Sequence, residues 1–141
     1  MKKIFLIIFF ITLLFADSIE DVKAKIVKNI AHIFTKCKVV KVYTDDPYFF
    51  DIFQSNTKIK RVNDCKDADI ILTKNSKDIK NICKKRKAYI FSTRYNDYKK
   101  SINFDLGAFF WQKGRPTLLI NRYMINKMHI HIPNSYKKFL D

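Results

Sequence analysis

The chain has 141 residues and a net charge of +15, from 28 Lys and Arg against 13 Asp and Glu. Two Gly and three Pro in the whole chain exclude a collagen-like or loop-dominated architecture, and the length after a short leader suits one domain with a single core. Lys far outnumbers Arg, so the charge reads as a solvated lysine surface rather than a nucleic-acid footprint, and no nucleic-acid partner is expected.

The chain opens with Met1-Lys2-Lys3, an uncharged run Ile4–Phe15, and Ala16. A basic start, a short apolar core and a small residue are the marks of a secretory signal peptide. The run is too short to be a comfortable membrane span, which needs roughly 20 apolar residues. The expectation is a signal peptide over residues 1–16 and a periplasmic mature domain over 17–141. Removing Lys2 and Lys3 lowers the charge from +15 to +13.

Ser18–Lys36 reads as an amphipathic helix. Ile19, Val22, Ile26, Ile30 and Ile33 fall on one face at steps of three and four, and Ser18 is a suitable N-cap. Val39–Tyr43 is a strand, and Asp45-Asp46-Pro47 starts a short helix over Tyr48–Gln54, with Pro47 at its first position. Lys58–Val62 is a short alternating strand. The following connection, Asn63–Asp67, is too short for an ordinary crossover helix, so this strand is expected at an edge, irregular or antiparallel. Ala68–Thr73 and Lys87–Ser92 are continuous apolar runs, as in strands buried on both faces, and Ser76 caps a helix over Lys77–Lys84 between them. Thr93–Phe104 is a polar and aromatic loop with one turn of helix. The alternation predicts an α/β fold: one domain, with a mostly parallel mixed sheet between flanking helices and a C-terminal β-hairpin.

That hairpin is Ala108–Trp111, the turn Gln112-Lys113-Gly114-Arg115, and Thr117–Ile120. Pro116 has no N–H for a ladder and belongs at a strand start or a sheet edge. Asn121 caps a helix over Arg122–Met128. Ile130 and Ile132 alternate with His129 and His131 as in a strand, and Tyr136–Leu140 forms a docking tail. Consecutive Phe109, Phe110 and Trp111 must alternate between the faces of the hairpin. Phe109 and Trp111, with Arg115 at the rim, are the candidate partner-binding residues, because Trp and Arg are enriched at binding hot spots.

Catalytic signatures are missing: there is no P-loop, GxGxxG, GxSxG or HExxH. No enzymatic activity, metal or cofactor is expected, and His129 and His131 read as the wet side of a strand. Cys37, Cys65 and Cys83 lack CxxC spacing and cannot all pair within one chain. In an oxidising compartment one disulfide and one leftover thiol are expected. All three fall near the edge where strands start, so any pair is geometrically open. A second reading places a small-ligand pocket at the strand tops, lined by Thr44, Asp45, Thr73 and Ser92.

Several of these motifs together resemble the YfiR-like family of periplasmic regulators. They are Val22-Lys23-Ala24, Asn29, Ala31 and Phe34 in the first helix and the Asp45-Asp46-Pro47 turn. The C-terminal series adds Gly114-Arg115, Ile120-Asn121, Ile130, Ile132 and Tyr136–Leu140. That family often continues its first helix into Trp-Pro, where this chain has Thr35-Lys36-Cys37. The resemblance implies a small exported α/β domain that binds and restrains the periplasmic sensor domain of an inner-membrane diguanylate cyclase, or a sensor kinase, in cyclic di-GMP signalling. It also implies disulfides that connect some members to periplasmic redox state, and it leaves a homodimer open.

Overall fold

The computed structural model describes residues 18–36, 38–53, 58–83 and 89–141. Residues 1–17, which include the expected signal peptide, and Cys37 lie outside the described residues. In chain order the elements are helix α1 (Ile19–Phe34), strand β1 (Val40–Thr44), a 3-10 helix (Pro47–Phe53) and β2 (Ile59–Arg61). A second 3-10 helix (Cys65–Asp67), β3 (Ile70–Thr73), α2 (Ser76–Ile82), β4 (Tyr89–Ser92) and α3 (Tyr95–Lys100) follow. The chain closes with β5 (Gly107–Gln112), β6 (Arg115–Ile120), α4 (Arg122–Met128) and a third 3-10 helix (Asn134–Phe139).

The six strands form one sheet in the order β2-β1-β3-β4-β5-β6, and all neighbours are parallel except the β5–β6 hairpin. The α/β class, the single domain, the mostly parallel sheet and the C-terminal hairpin are those that the sequence predicts. β2 is an edge strand and is parallel to β1, pairing Val40 with Ile59. Its short connection succeeds because only the three-residue 3-10 helix Cys65–Asp67 is needed to step over β1 into β3.

Each sheet face has its own packing. One face presents Val40, Val42, Ile70, Leu72, Phe91, Phe109, Leu118 and Ile120 to α1, α4 and the first 3-10 helix. The other presents Ile71 and Ile90 to a smaller cluster with Cys65, Ala68, Ile79 and Cys83. All four residues of β3 are buried, which explains its unbroken apolar run.

Helix α1 is rotated from the expected face. Ala24, Val27, Ile30, Ala31 and Phe34 are buried, whereas Ile19 is 54% exposed and Ile26 and Ile33 are half-buried. The apolar stripe is wide, and Ala24 and Ala31 lie in its most buried part. Lys23 sits on this buried side at 2% exposure. Its Nζ donates to the Tyr48 carbonyl at 2.6 Å, lies 3.4 Å from Asp51, and stands 3.7 Å from the Tyr48 ring centre. A buried cation is tolerable because all three partners compensate its lost hydration.

The hairpin turn is tight. Lys113 (φ 51°) and Gly114 (φ 74°) both take left-handed backbone, the geometry that matches the twist of a two-residue hairpin. At the other end of β5, a Cβ on Gly107 would collide with the Leu119 carbonyl, so the strand crossing there needs glycine. Pro116 sits on edge strand β6, as its missing N–H requires.

The C-terminal part folds back onto that edge. Asn121 caps α4 by accepting from the Met124 N–H at 3.3 Å, and its Nδ2 donates to the carbonyls of Ile102 (2.6 Å) and Asp105 (2.8 Å). His129 ends α4 in left-handed backbone at φ 53°. Ile130 and Ile132 do not form the expected strand. The place beside β6 is taken by Leu140, which bridges Ile120 in parallel, while Asp141 donates its N–H to the Ile120 carbonyl at 2.9 Å. Ile132 is nevertheless buried in the core. Buried Tyr98 donates its hydroxyl to Asp141 at 3.0 Å, and burial with this carboxylate pushes the phenol well above its usual range.

Cys65 and Cys83 form a disulfide across 18 positions, with Cα atoms 6.2 Å apart. It ties the β2–β3 connection to the end of α2. Thiol titration of the denatured, non-reduced chain should find one free thiol; three would contradict the bridge. Paired Cys65→Ser and Cys83→Ser substitutions should cost about 3 kcal/mol, read by denaturant unfolding.

Asp105 is fully buried ahead of β5. Ser76 does not cap α2; Asn75 does, and the Ser76 hydroxyl donates to Asp105 Oδ2 at 2.8 Å instead. The other oxygen, Oδ1, has no hydrogen-bond partner among the described residues. Burial, opposed by the Ser76 hydrogen bond, raises the carboxyl from 3.8 to about 8. Between these values the folded chain holds a proton that the unfolded chain has released, so this group lowers stability as pH rises from about 4 to 8. Asp105→Asn mimics the protonated acid. Relative to wild type its melting temperature should gain about 4 °C or more on going from pH 4 to pH 8, and a pH-independent difference would contradict the assignment.

Candidate binding surface at the carboxyl edge of the sheet

In a parallel sheet the loops after the strands gather at one edge, and this is where α/β domains usually bind. Here the loops after β1, β3 and β4 carry Asp45-Asp46, Lys74-Asn75 and Thr93-Arg94. Asp45 accepts from the Thr73 hydroxyl at 2.7 Å and from the Lys74 N–H at 3.0 Å. Asp46 accepts from the Thr93 hydroxyl at 2.8 Å and the Tyr48 N–H at 3.1 Å. Thr44 Oγ1 accepts from the Asp46 N–H at 3.2 Å, and Thr73 Oγ1 accepts from the Asn75 N–H at 2.9 Å. The two carboxylates therefore clamp three strand ends together. On the opposite face, burial raises the Tyr43 phenol above its usual range, and the Asp45 and Asp64 charges add to this.

This clamp corrects the strand-top pocket. Thr44, Thr73 and Ser92 are buried at 3%, 0% and 0%, and Asp45 spends its oxygens on Thr73 and Lys74. None of the four lines either of the two recesses at this edge; their neighbours do. Asp46, Thr93 and Arg94 join Tyr48, Phe49, Phe110 and Trp111 around an open recess of about 220 Å³. Lys74, Asn75 and Arg94 line a second, larger cleft towards α2 and α3.

The aromatic residues of β5 divide as strand alternation requires. Phe109 is fully buried and stacks on Phe49 at 5.4 Å, so it belongs to the core and offers no surface to a partner. Trp111 is half-buried on the same face, with its ring 5.9 Å from both Phe109 and Tyr48. Phe110 points to the opposite face and stacks against Tyr95 at 6.0 Å. Tyr48 and Tyr95 remain 45% and 44% exposed. Arg115 is exposed at the hairpin tip, opposite Gln112 and next to Pro116, which pairs with Trp111.

The result is an aromatic patch: Tyr48, Phe110 and Trp111 line the small recess with Arg94, Tyr95 extends it beside Phe110, and Arg115 lies further along at the hairpin tip. Of these residues the sequence singles out Trp111 and Arg115 as candidates, and not Tyr48, Tyr95 or Arg94. The Asp-Asp-Pro-Tyr turn carried a signal for Tyr48, but only the sheet order shows that this turn meets the hairpin. Arg94 and Tyr95 lie in the segment expected as a loop with one turn of helix, and that turn is the start of α3.

Among the described residues no group of three or more His, Cys, Asp or Glu could hold a metal ion. His129 serves as the left-handed end of α4 and His131 is exposed in an irregular segment. The patch can therefore bury aromatic surface and place two guanidinium groups against a partner. No protein-family model, curated protein or solved structure matches the chain.

Proposed function

We propose that this protein is an exported, non-enzymatic regulator that binds the periplasmic sensor domain of an inner-membrane diguanylate cyclase and holds it inactive. The observation that carries the reading is the exposed aromatic patch with its flanking arginines, built on a rigid sheet edge. Large exposed aromatics beside Arg are the composition of a binding hot spot. The first-helix, Asp-Asp-Pro and C-terminal motifs supply the class of partner through the family they resemble. The basic start and short apolar run of residues 1–16 support export.

The mechanism is a shift of populations. A regulator that prefers the inactive cyclase displaces the equilibrium by its difference in affinity for the two states. Such a device needs shape and charge complementarity rather than a catalytic group. The positive surface would favour encounter with an acidic patch on the sensor domain.

Two substitutions test the surface. Loss of a hot-spot contact is worth on the order of 2 kcal/mol, so Trp111→Ala and Arg115→Glu should each weaken capture of the cognate sensor domain by roughly 30-fold. Thermal melting of each variant accompanies the binding assay. Trp111 packs on Phe109, so its removal also lowers stability; exposed Arg115 can be reversed with little effect on folding. A folded Arg115→Glu protein that binds like wild type would remove the hairpin tip from the interface. Failure of wild type to bind any membrane-anchored sensor would remove the regulator reading itself.

A further inference from the structure

A second recess opens beside the aromatic patch, between α2 and α3. Its volume is about 680 Å³, and it lies outside the carboxyl ends of β3 and β4. Lys74 and Lys77 line it from the α2 side, and Arg94 and Lys100 from the α3 side. Asp97 is the acidic residue in the lining. None of the four cations forms an ion pair among the described residues.

Scattered surface lysines repel each other and stay apart in water. Here the starts and ends of two separate elements bring four exposed cations to the lining of one concave space, where low-dielectric walls focus the positive potential. Buried Ser76 and Ser101 also line the recess, as does Phe104, an apolar wall held under the Lys80 ammonium at 4.3 Å. Ser76 already donates its hydroxyl to Asp105, so the polar floor is fixed from below.

We propose that this cleft binds a small soluble ligand carrying a phosphate or diphosphate group, with Lys74, Lys77, Arg94 and Lys100 neutralising its charge. The concave shape distinguishes it from a flat, basic, membrane-facing patch. The site is independent of the hairpin contact, apart from Arg94 at their shared border.

Titration calorimetry with inorganic pyrophosphate at fixed ionic strength tests the assignment. Wild type should bind one pyrophosphate per chain saturably. Lys77→Gln with Lys100→Gln should weaken binding about tenfold or more. Lys25→Gln with Lys137→Gln removes the same charge at exposed positions on α1 and the last 3-10 helix, and should change affinity less than about twofold. Equal losses in both double variants, or heat without saturation, would reduce the effect to general lysine screening and overturn the proposal. Phosphatidylglycerol vesicles present the same charge on a surface. Vesicle capture lost only in the cleft variant, with no pyrophosphate binding, would assign the lysines to lipid headgroups and likewise overturn it. Melting curves of both double variants establish that each is folded.

Discussion

Adjacent Asp45 and Asp46 hold the upper edge of the sheet in one piece. Together they accept from Thr73, Lys74, Thr93 and Tyr48, and so link β1 to β3, β4 and the first 3-10 helix. Hydrogen bonds to an ionised acceptor contribute roughly 1.5–3 kcal/mol each. Two neighbouring carboxylates would repel one another, but each is surrounded by donors of its own. A strand order that reverses direction between β1 and β3 leaves a crevice at that point, and here Asp45 closes it. Ligand-sized space is therefore displaced sideways, towards α2 and α3 and towards the hairpin.

The clamp also sets where the aromatics stand. Asp46 starts the 3-10 helix that carries Tyr48, and buried Lys23 fixes the same helix from the α1 side through the Tyr48 carbonyl and ring. Tyr48 is thus held from two directions and meets Trp111 edge-on. Rigid aromatic groups lose little conformational freedom on association, which is what a recognition surface requires. The hairpin supplies the other half, positioned by the close crossing at Gly107 and by a tail that occupies the β6 edge.

Local chemistry made much of this legible in the sequence. Ser18 and Asn121 cap the helices they were expected to cap, the Lys113-Gly114 turn closes the hairpin, and the unbroken apolar run of β3 is buried throughout. Features decided by tertiary placement were not legible. The α1 face differs from the expected one because isoleucines outweigh alanines on a hydrophobicity pattern, yet Ala24 and Ala31 are the buried residues and Ile19 is exposed. Lys23 looked solvated because no pattern reveals a carbonyl, a carboxylate and a ring waiting for it. Ile130 and Ile132 have strand spacing but pair with no strand; Ile132 is buried in the core instead, and Leu140 makes the bridge to Ile120. The strand-top residues lie at the carboxyl edge as expected, but burial of Thr44, Thr73 and Ser92 and the Asp45–Thr73 hydrogen bond, both invisible in the sequence, keep them out of the two recesses there. Cys65 and Cys83 were two of three equivalent candidates until the 3-10 helix and α2 brought them together.

Amide hydrogen exchange on Asp45→Ala/Asp46→Ala beside wild type tests the organising role of the clamp most directly. The Lys74 and Tyr48 amides lose their acceptors outright in this variant, and Asn75 and Phe49 follow them in the chain. Exchange should accelerate at these four positions and at Trp111, while α1 and the buried centre of β3 keep their protection. Unchanged exchange at Lys74 and Tyr48, or acceleration spread evenly over the whole sheet, would contradict it.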